Sequence, residues 1–506
     1  MTGENQQYNF VEYLPPPHLE NFCPCSTQKE WSLEHRHLSN ALFSSLSRNV
    51  SKHNYCFSDF PFPDDVPDYP HHTDLAEYIN SYAEHFGIKE HICFNTKVVR
   101  VEKVSEGWKI TSVKVDDEGK GQQDFDETFV KFVAIATGHH AKPSMPHFNG
   151  QETFPGRIFH SVEYKNAISN GLVGKKVVVV GIGNSAVDVA VNVVELGGKK
   201  PVSIATRSGA WIIPNYILGF PADHYACRLF FWLPWRLSNF VFELMIQSVL
   251  GSPWQWSLNP KMHARQTQPT VSPTLVHHIQ RRNVMVKPNI AALEGNNVVF
   301  TDGSKTATDA IVCCTGYKID LPFLDSSLKD LVVEENSNKI KLFKHVFAPE
   351  IGSSLAFIGF VQPASGGLLS VSEIQARWFS ELCKGAIKLP SLEKMQQEIK
   401  LDQQKNESIY FASARHTIQQ DPMTYNDEIA SYFGAKPQLW KHPSLAWHFI
   451  VSSCGAAQWR LQGPHKWSRA KEVVRAVPIT PLMHYGTLSV LVLAFFIIVF
   501  IMIKCF

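Results

Sequence analysis

The sequence predicts an α/β fold of the two-dinucleotide-binding-domain type, one nucleotide-binding unit inserted in the other, followed by a C-terminal transmembrane helix. Three observations carry this. A buried β-branched run, 176–180, leads into Gly181-Ile182-Gly183-Asn184-Ser185-Ala186, a G-x-G-x-x-A turn. Two apolar strands on either side of that unit end alike, in Ala136-Thr137-Gly138 and Cys314-Thr315-Gly316. The stretch 485–503 is uncharged and nearly all apolar. As a helix it would span roughly 28 Å, about the thickness of a bilayer core.

The glycine turn has its own physics. Gly181 permits the tight turn, Gly183 lets the backbone approach a pyrophosphate, and Ala186 lets the next helix pack closely. A helix continuing over 188–196 would present its N-terminal amides to phosphates. Gly181, Gly183, Asn184, Ser185, Ala186, Val187 and Asp188 are therefore candidate cofactor-binding residues. The next strand, 202–205, ends in Thr206-Arg207. An acidic residue at that point binds the ribose hydroxyl of NAD, whereas a basic one accommodates the 2′-phosphate of NADP. Thr206 and Arg207 thus point to NADPH.

Composition sets limits. A chain of 506 residues has room for about two to three domains. A net charge of +2 with 19% charged residues gives no sign of nucleic-acid binding. The ten cysteines lack zinc or disulfide spacing, so no metal site is expected and a reducing compartment is. No C-x-x-C pair supports a disulfide reductase, which would share the two-nucleotide layout. Ahead of the apolar tail, Arg460, Lys466, Arg469, Lys471 and Arg475 face a single Glu472, which orients the preceding domain to the cytoplasm.

Just upstream of the glycine turn, Phe154-Pro155-Gly156-Arg157-Ile158-Phe159-His160-Ser161-Val162-Glu163-Tyr164 fits F-x-G-x-x-x-H-x-x-x-[YF]. That pairing resembles the identifying sequence of the flavin-containing monooxygenases (dimethylaniline monooxygenase, N-oxide-forming type). From Phe43 onward the chain resembles this family almost continuously. The segments 44–52 and 57–61 resemble its active-site segment, and 355–363 and 372–378 its returning flavin-domain segment. The resemblance implies FAD as a second cofactor, with Asn49, Val50 and Gln362 at the isoalloxazine end, Arg48 among the cofactor-binding residues and Asn49 catalytic. It implies these boundaries: a divergent segment 1–42, FAD-binding parts 43–150 and 319–445, and an NADPH-binding domain 151–318 with a helical insertion at about 211–275. A basic juxtamembrane segment, 446–484, precedes the tail anchor, 485–503. The insertion is rich in aromatic residues, which suits either buried core or a substrate passage resting on the membrane.

The implied reaction oxygenates soft nucleophiles. NADPH reduces FAD, a flavin hydroperoxide forms with O2, and a lipophilic amine or sulfide takes up the distal oxygen. The implied place is the endoplasmic reticulum membrane, catalytic domain toward the cytosol, in the setting of xenobiotic metabolism. Ester-forming (Baeyer–Villiger) activity and homo-oligomerisation stay open. One feature departs from the family: Gly3 is the only glycine before Gly87, so no G-x-G-x-x-G turn can open the chain. A sequence junction near residue 42 is the favoured reading of this, ahead of a weak FAD binder or a member that has lost catalysis. The alternative function is then a non-enzymatic, membrane-bound protein that binds NADPH but little FAD.

Overall fold

In the computed structural model of the protein, residues 49–116, 121–334, 337–411 and 417–489 are described. The strand Lys176–Val180 lies at the centre of a five-stranded parallel sheet. The order is Val284–Lys287, Lys199–Ala205, Lys176–Val180, Ala310–Cys313, Arg157–His160. Its valines alternate between two cores. Val177 and Val179 pack with Val187, Ala190 and Val193 of the helix Asn184–Glu195. Val178 and Val180 pack with Phe154, Leu293 and Phe300 on the opposite face. Burial on both faces is why the strand shows a continuous apolar run rather than alternation. The helix starts at Asn184, earlier than the apolar pattern from 188 suggests, because Gly183 takes the extended N-cap conformation.

The second unit surrounds the first in sequence. The strand Val133–Ile135 pairs in parallel with Leu355–Phe357, and all six residues are buried. Beside them runs an antiparallel meander of Thr96–Val104, Gly107–Val115 and Gly121–Val130. The helices Leu368–Cys383 and Pro422–Tyr432 close the other side, with Trp378, Phe379 and Ile429 in the core. The chain leaves this unit after Ala136-Thr137-Gly138 and returns after Cys314-Thr315-Gly316. The two connections lie side by side: Lys142–Pro143 pairs antiparallel with Tyr317–Lys318, and the Ser144 amide donates to Gly316 O at 2.9 Å.

The aromatic insertion between Lys199–Ala205 and Val284–Lys287 forms the helices Arg228–Trp232 and Trp235–Leu250. In the longer helix only Ser238, Asn239 and Ile246 are buried. Leu237, Phe240, Val241 and Leu244 are exposed and share one face at helical spacing. Ile246 packs with Ile213, Ile217 and Tyr225, and Met483 joins that cluster from the far end of the chain. The insertion is thus neither all core nor all surface.

Among the described residues, no helix is long and apolar enough to cross a membrane. The anchor segment from residue 490 onward, Arg48 and the divergent segment 1–42 lie outside the described residues.

Candidate functional site

The F-x-G-x-x-x-H-x-x-x-Y pattern is a set of braces around the junction between the two units. Phe154 is buried beneath the parallel sheet. A Cβ on Gly156 would stand 2.3 Å from Asp309 O, so only glycine lets these segments meet. His160 ends its strand and shares a 3.1 Å hydrogen bond between Nε2 and Gly316 O at the return connection. Its Nδ1 accepts from the Val162 amide at 3.2 Å, which fixes the neutral tautomer with hydrogen on Nε2. Burial lowers the His160 pKa, against the pull of the Gly316 carbonyl and Glu163. Tyr164 is fully buried and donates to Asn192 Oδ1 at 2.6 Å, bracing the glycine-turn helix.

The start of that helix could hold a phosphate. Gly181 has φ +122°, and a Cβ there would lie 2.5 Å from Cys314 O. The N-cap, Gly183, has no side chain to cap the first turn, so the leading amides remain for a ligand. Asn184 Oδ1 accepts from Val271 N at 2.8 Å, tying the turn to the strand Thr270–Val271. Ser185 is exposed beside it. Ala186 and Val187 lie wholly in the core, and their amides bond back to Gly183 O. They support the turn without facing a ligand. Burial pushes Asp188 up to about 7. At the next strand end Thr206 Oγ1 accepts from Gly209 N at 3.1 Å. A Cβ on Gly209 would fall 1.9 Å from Leu258 O, so the turn after Arg207 is tight. Arg207 itself is exposed there.

Asn49 and Val50 meet this unit at a cavity of about 120 Å³. Its walls bring together Asn49, Val50, Asn184, Gln268 and Pro363 with the aromatic insertion, represented by Phe230, Phe231 and Phe242. Gln362 reaches the wall through Gln268, to whose Oε1 its amide donates. The turn holding Asn49 is clamped from the insertion. Asp223 Oδ2 accepts from Ser51 N at 3.1 Å, Ser51 Oγ at 2.7 Å and Asn54 Nδ2 at 2.7 Å. Because Ser51 gives its hydroxyl hydrogen to Asp223, His224 Nε2, 3.2 Å away, must be the donor to Ser51 Oγ. Burial lowers the pKa of His224, and burial with His224 nearby lowers His53 to about 4. Both rings are neutral at neutral pH. Arg265 pairs with Asp421 at 3.1 Å on the far wall. Behind the turn, Ser58 N donates to Glu373 Oε2 at 2.7 Å. Arg460 joins Glu373 and Asp59 at 2.7 Å each.

Comparison with known proteins follows the same division. The model of the flavin-binding monooxygenase-like family matches residues 31–479. The chain belongs to this family. Flavin-containing monooxygenase 5 of Rattus norvegicus is 36% identical over 461 residues, covering 86% of this chain and 82% of the relative. Flavin-containing monooxygenase 3 of Canis lupus familiaris is 32% identical over 453 residues, with the same coverage of 86% and 82%. Two solved structures share the fold. S-allyl-L-cysteine S-oxygenase from Allium sativum has a TM-score of 0.58 at 20% identity, covering 90% of this chain and 93% of that one. Cyclohexanone monooxygenase, in its open form, has a TM-score of 0.55 at 14% identity, covering 81% and 92%. The family match begins at residue 31, inside the segment read from sequence as divergent.

The protein is a flavin-containing monooxygenase, and its cofactors are FAD and NADPH. The Gly181 turn, the uncapped helix start and the exposed Arg207 could hold the NADPH phosphates. Asn49, Val50, Gln362 and the N-terminus of Leu368–Cys383, whose N-cap Gly367 offers no side chain, could hold the ring end of FAD. Within residues 1–86 Gly3 is the only glycine, and residues 1–48 lie outside the described residues. Sequence reasoning missed Asp223, His224, Gln268 and the Arg265–Asp421 pair. Asp223-His224 is one polar pair among several in the insertion, and nothing beside it in the sequence marks Ser51 as its partner.

Proposed function

We propose that the protein oxygenates soft nucleophiles, the nitrogen of lipophilic amines or the sulfur of sulfides, at the cavity beside Asn49. When bound, FAD supplies the activation of O2 and NADPH the hydride. The chain supplies position and dryness. Asn49 presents an amide to the reacting centre, Asp223 and Ser51 hold its turn, and Gln362 with Gln268 form the opposite wall. The aromatic side chains Phe230, Phe231 and Phe242 keep bulk water from the reaction. The single observation that carries this reading is the meeting of Asn49, Asn184 and Gln268 in one apolar cavity.

The relatives and structural neighbours include a rat N-oxide-forming dimethylaniline monooxygenase, an S-allyl-L-cysteine S-oxygenase and a cyclohexanone monooxygenase. A cavity walled mainly by aromatic and aliphatic side chains, with Asp223 and Asp421 among its polar residues, favours lipophilic substrates, and turnover decides among amine, thioether and ketone. The test is competitive turnover of a tertiary amine, a thioether and a cyclic ketone by the full chain. Ketone turnover exceeding both others would assign the Baeyer–Villiger chemistry instead.

The membrane reading rests on two surfaces that adjoin. The exposed face of Leu237, Phe240, Val241 and Leu244 belongs to the insertion, and Met483 packs on the same insertion just before the apolar tail. An interfacial helix beside a tail anchor seats the cavity near lipid, where lipophilic substrates concentrate. The endoplasmic reticulum, catalytic side toward the cytosol, is the location this implies. The second reading, an NADPH-binding protein with little FAD, is favoured by one sequence observation: Gly3 is the only glycine in residues 1–86.

A further inference from the structure

The strand Lys199–Ala205 carries Arg207 to the edge of the glycine turn. Ala205 pairs with Val180, and the Gly181 amide donates to Ala205 O at 2.9 Å. A second stretch of backbone, from the insertion, is pinned along the turn that follows Arg207. Ala210 N donates to Leu258 O at 3.3 Å, Lys261 N to Ser208 O at 2.9 Å, and Trp211 Nε1 to Met262 O at 2.9 Å. Leu258 and Met262 are buried, which leaves Lys261 exposed between two anchors. The contact is close because Gly209 has no Cβ to strike Leu258 O and Asn259 O.

A phosphate ester asks for more than one arginine. It carries about −1.5 to −2 charges near neutral pH and three acceptor oxygens. An arginine fork meets two oxygens and balances one charge. Thr206 can add a donor, since its Oγ1 accepts from Gly209 N and keeps its own hydrogen. The Ser208 hydroxyl is turned to Gly209 O. The remaining charge calls for a second cation, and two lysines are bonded to this turn through their backbones. Lys287 O accepts from Thr206 N at 3.0 Å, but its ammonium donates to Ser304 Oγ at 3.2 Å and lies 5.6 Å from the Phe300 ring centre. Lys261 has no such tie. Among the described residues neither its side chain nor that of Arg207 has a hydrogen bond or ion pair. Two cations without a carboxylate thus leave the backbone at one turn, and like charges so placed disfavour each other until an anion joins them.

We propose that Lys261 is the second cation of the phosphate subsite at this turn, and that Arg207 and Lys261 together select NADPH over NADH. The proposal rests on the reading of Arg207 as a phosphate-binding residue. Lys261 is a compact charge on a flexible stem, suited to the oxygen that the Arg207 fork leaves open. The insertion that walls the reaction cavity through Phe230 and Phe242 thereby also reads the far end of the nucleotide.

The test titrates NADP⁺ and NAD⁺ into the full chain, with no turnover required. Lys261→Ala should weaken NADP⁺ binding by about five- to tenfold and leave NAD⁺ within about twofold of wild type. Lys261→Arg should recover most of the NADP⁺ affinity, because the charge is kept. Lys287→Ala should leave the ratio of the two affinities as in wild type. An unchanged NADP⁺ affinity in Lys261→Ala overturns the proposal. So does an equal loss for both nucleotides, which would make Lys261 a brace for the turn, or a changed ratio in Lys287→Ala alone. The reading beneath it is tested separately by Arg207→Ala. If that variant keeps the wild-type ratio while Lys261→Ala loses it, Arg207 leaves the subsite and Lys261 stays. A wild type that binds both nucleotides equally removes both residues from it.

Discussion

Ser51 donates both its hydroxyl and its amide hydrogen to one oxygen of Asp223, at 2.7 and 3.1 Å, across 172 residues of sequence. This contact couples the turn that carries Asn49 to the insertion of the nucleotide unit. Hydrogen bonds to a charged group contribute about 1.5–3 kcal/mol each. Asp223→Ala removes the acceptor of three such donors at once. The expected result is a kcat lower by about ten- to a hundredfold, with NADPH affinity within about twofold of wild type. Steady-state kinetics beside a nucleotide-binding titration would show it. A parallel loss of NADPH binding would mean that Asp223 holds the whole fold rather than the turn.

Arg207 stands exposed at the strand end, with no side-chain contact to hold it elsewhere among the described hydrogen bonds and ion pairs. Arg207→Ala should weaken NADPH binding by about 1.5–3 kcal/mol and leave NADH binding unchanged. Isothermal titration with the two nucleotides decides it. Equal wild-type affinities for both would remove Arg207 from the phosphate site.

Much of the fold was legible because single residues had no alternative. Gly181 and Gly156 sit where any Cβ would strike a carbonyl, and the paired Thr-Gly strand ends mark the two connections that lie together. The valine run 176–180 read as a doubly buried strand for the same reason: both faces are core. The clamp on Asn49 was not legible. Asp223 meets Ser51 only after the insertion folds over the turn, and nothing local in 222–225 encodes that meeting. The insertion itself stayed ambiguous because one helix has both a buried residue, Ile246, and an exposed apolar face through Phe240 and Leu244.

The buried His345 and the half-buried Asp188 should give stability a pH dependence of opposite sign. Burial, with Lys344 assisting and Asp402 opposing, lowers His345 from 6.5 to about 4. Between those values the unfolded chain binds a proton that the fold does not, so this histidine's contribution is present above pH 6.5 and is lost on acidification. Burial raises Asp188 from 3.8 to about 7. There the fold keeps a proton the unfolded chain releases, so its contribution is present at low pH and is lost as pH rises toward 7. The thermal midpoint of wild type relative to His345→Asn should climb from pH 4 to 6.5; asparagine tolerates the left-handed backbone at φ +61°. Relative to Asp188→Asn it should fall from pH 4 to 7. Flat difference curves would show that neither group is buried in solution.

Removing 485–506 should leave partial membrane association through the exposed face of Trp235–Leu250. Adding Phe240→Ser and Leu244→Ser should release the truncated chain to the soluble fraction. Vesicle flotation measures both steps. A truncated chain already fully soluble without detergent would make the insertion a cavity wall alone.

The most direct measurement titrates FAD into the purified full chain with NADPH, O2 and a simple thioether, following sulfoxide formation. Residues 1–86 hold one glycine, Gly3, too few for a G-x-G-x-x-G turn there, so the expected result is weak FAD binding, with product appearing only as FAD is added and saturating with it. The Asn49→Ala form should take up FAD over the same range yet make little sulfoxide. Tight NADPH binding with no sulfoxide at any FAD concentration would contradict the account and leave the nucleotide-binding, non-enzymatic reading in its place.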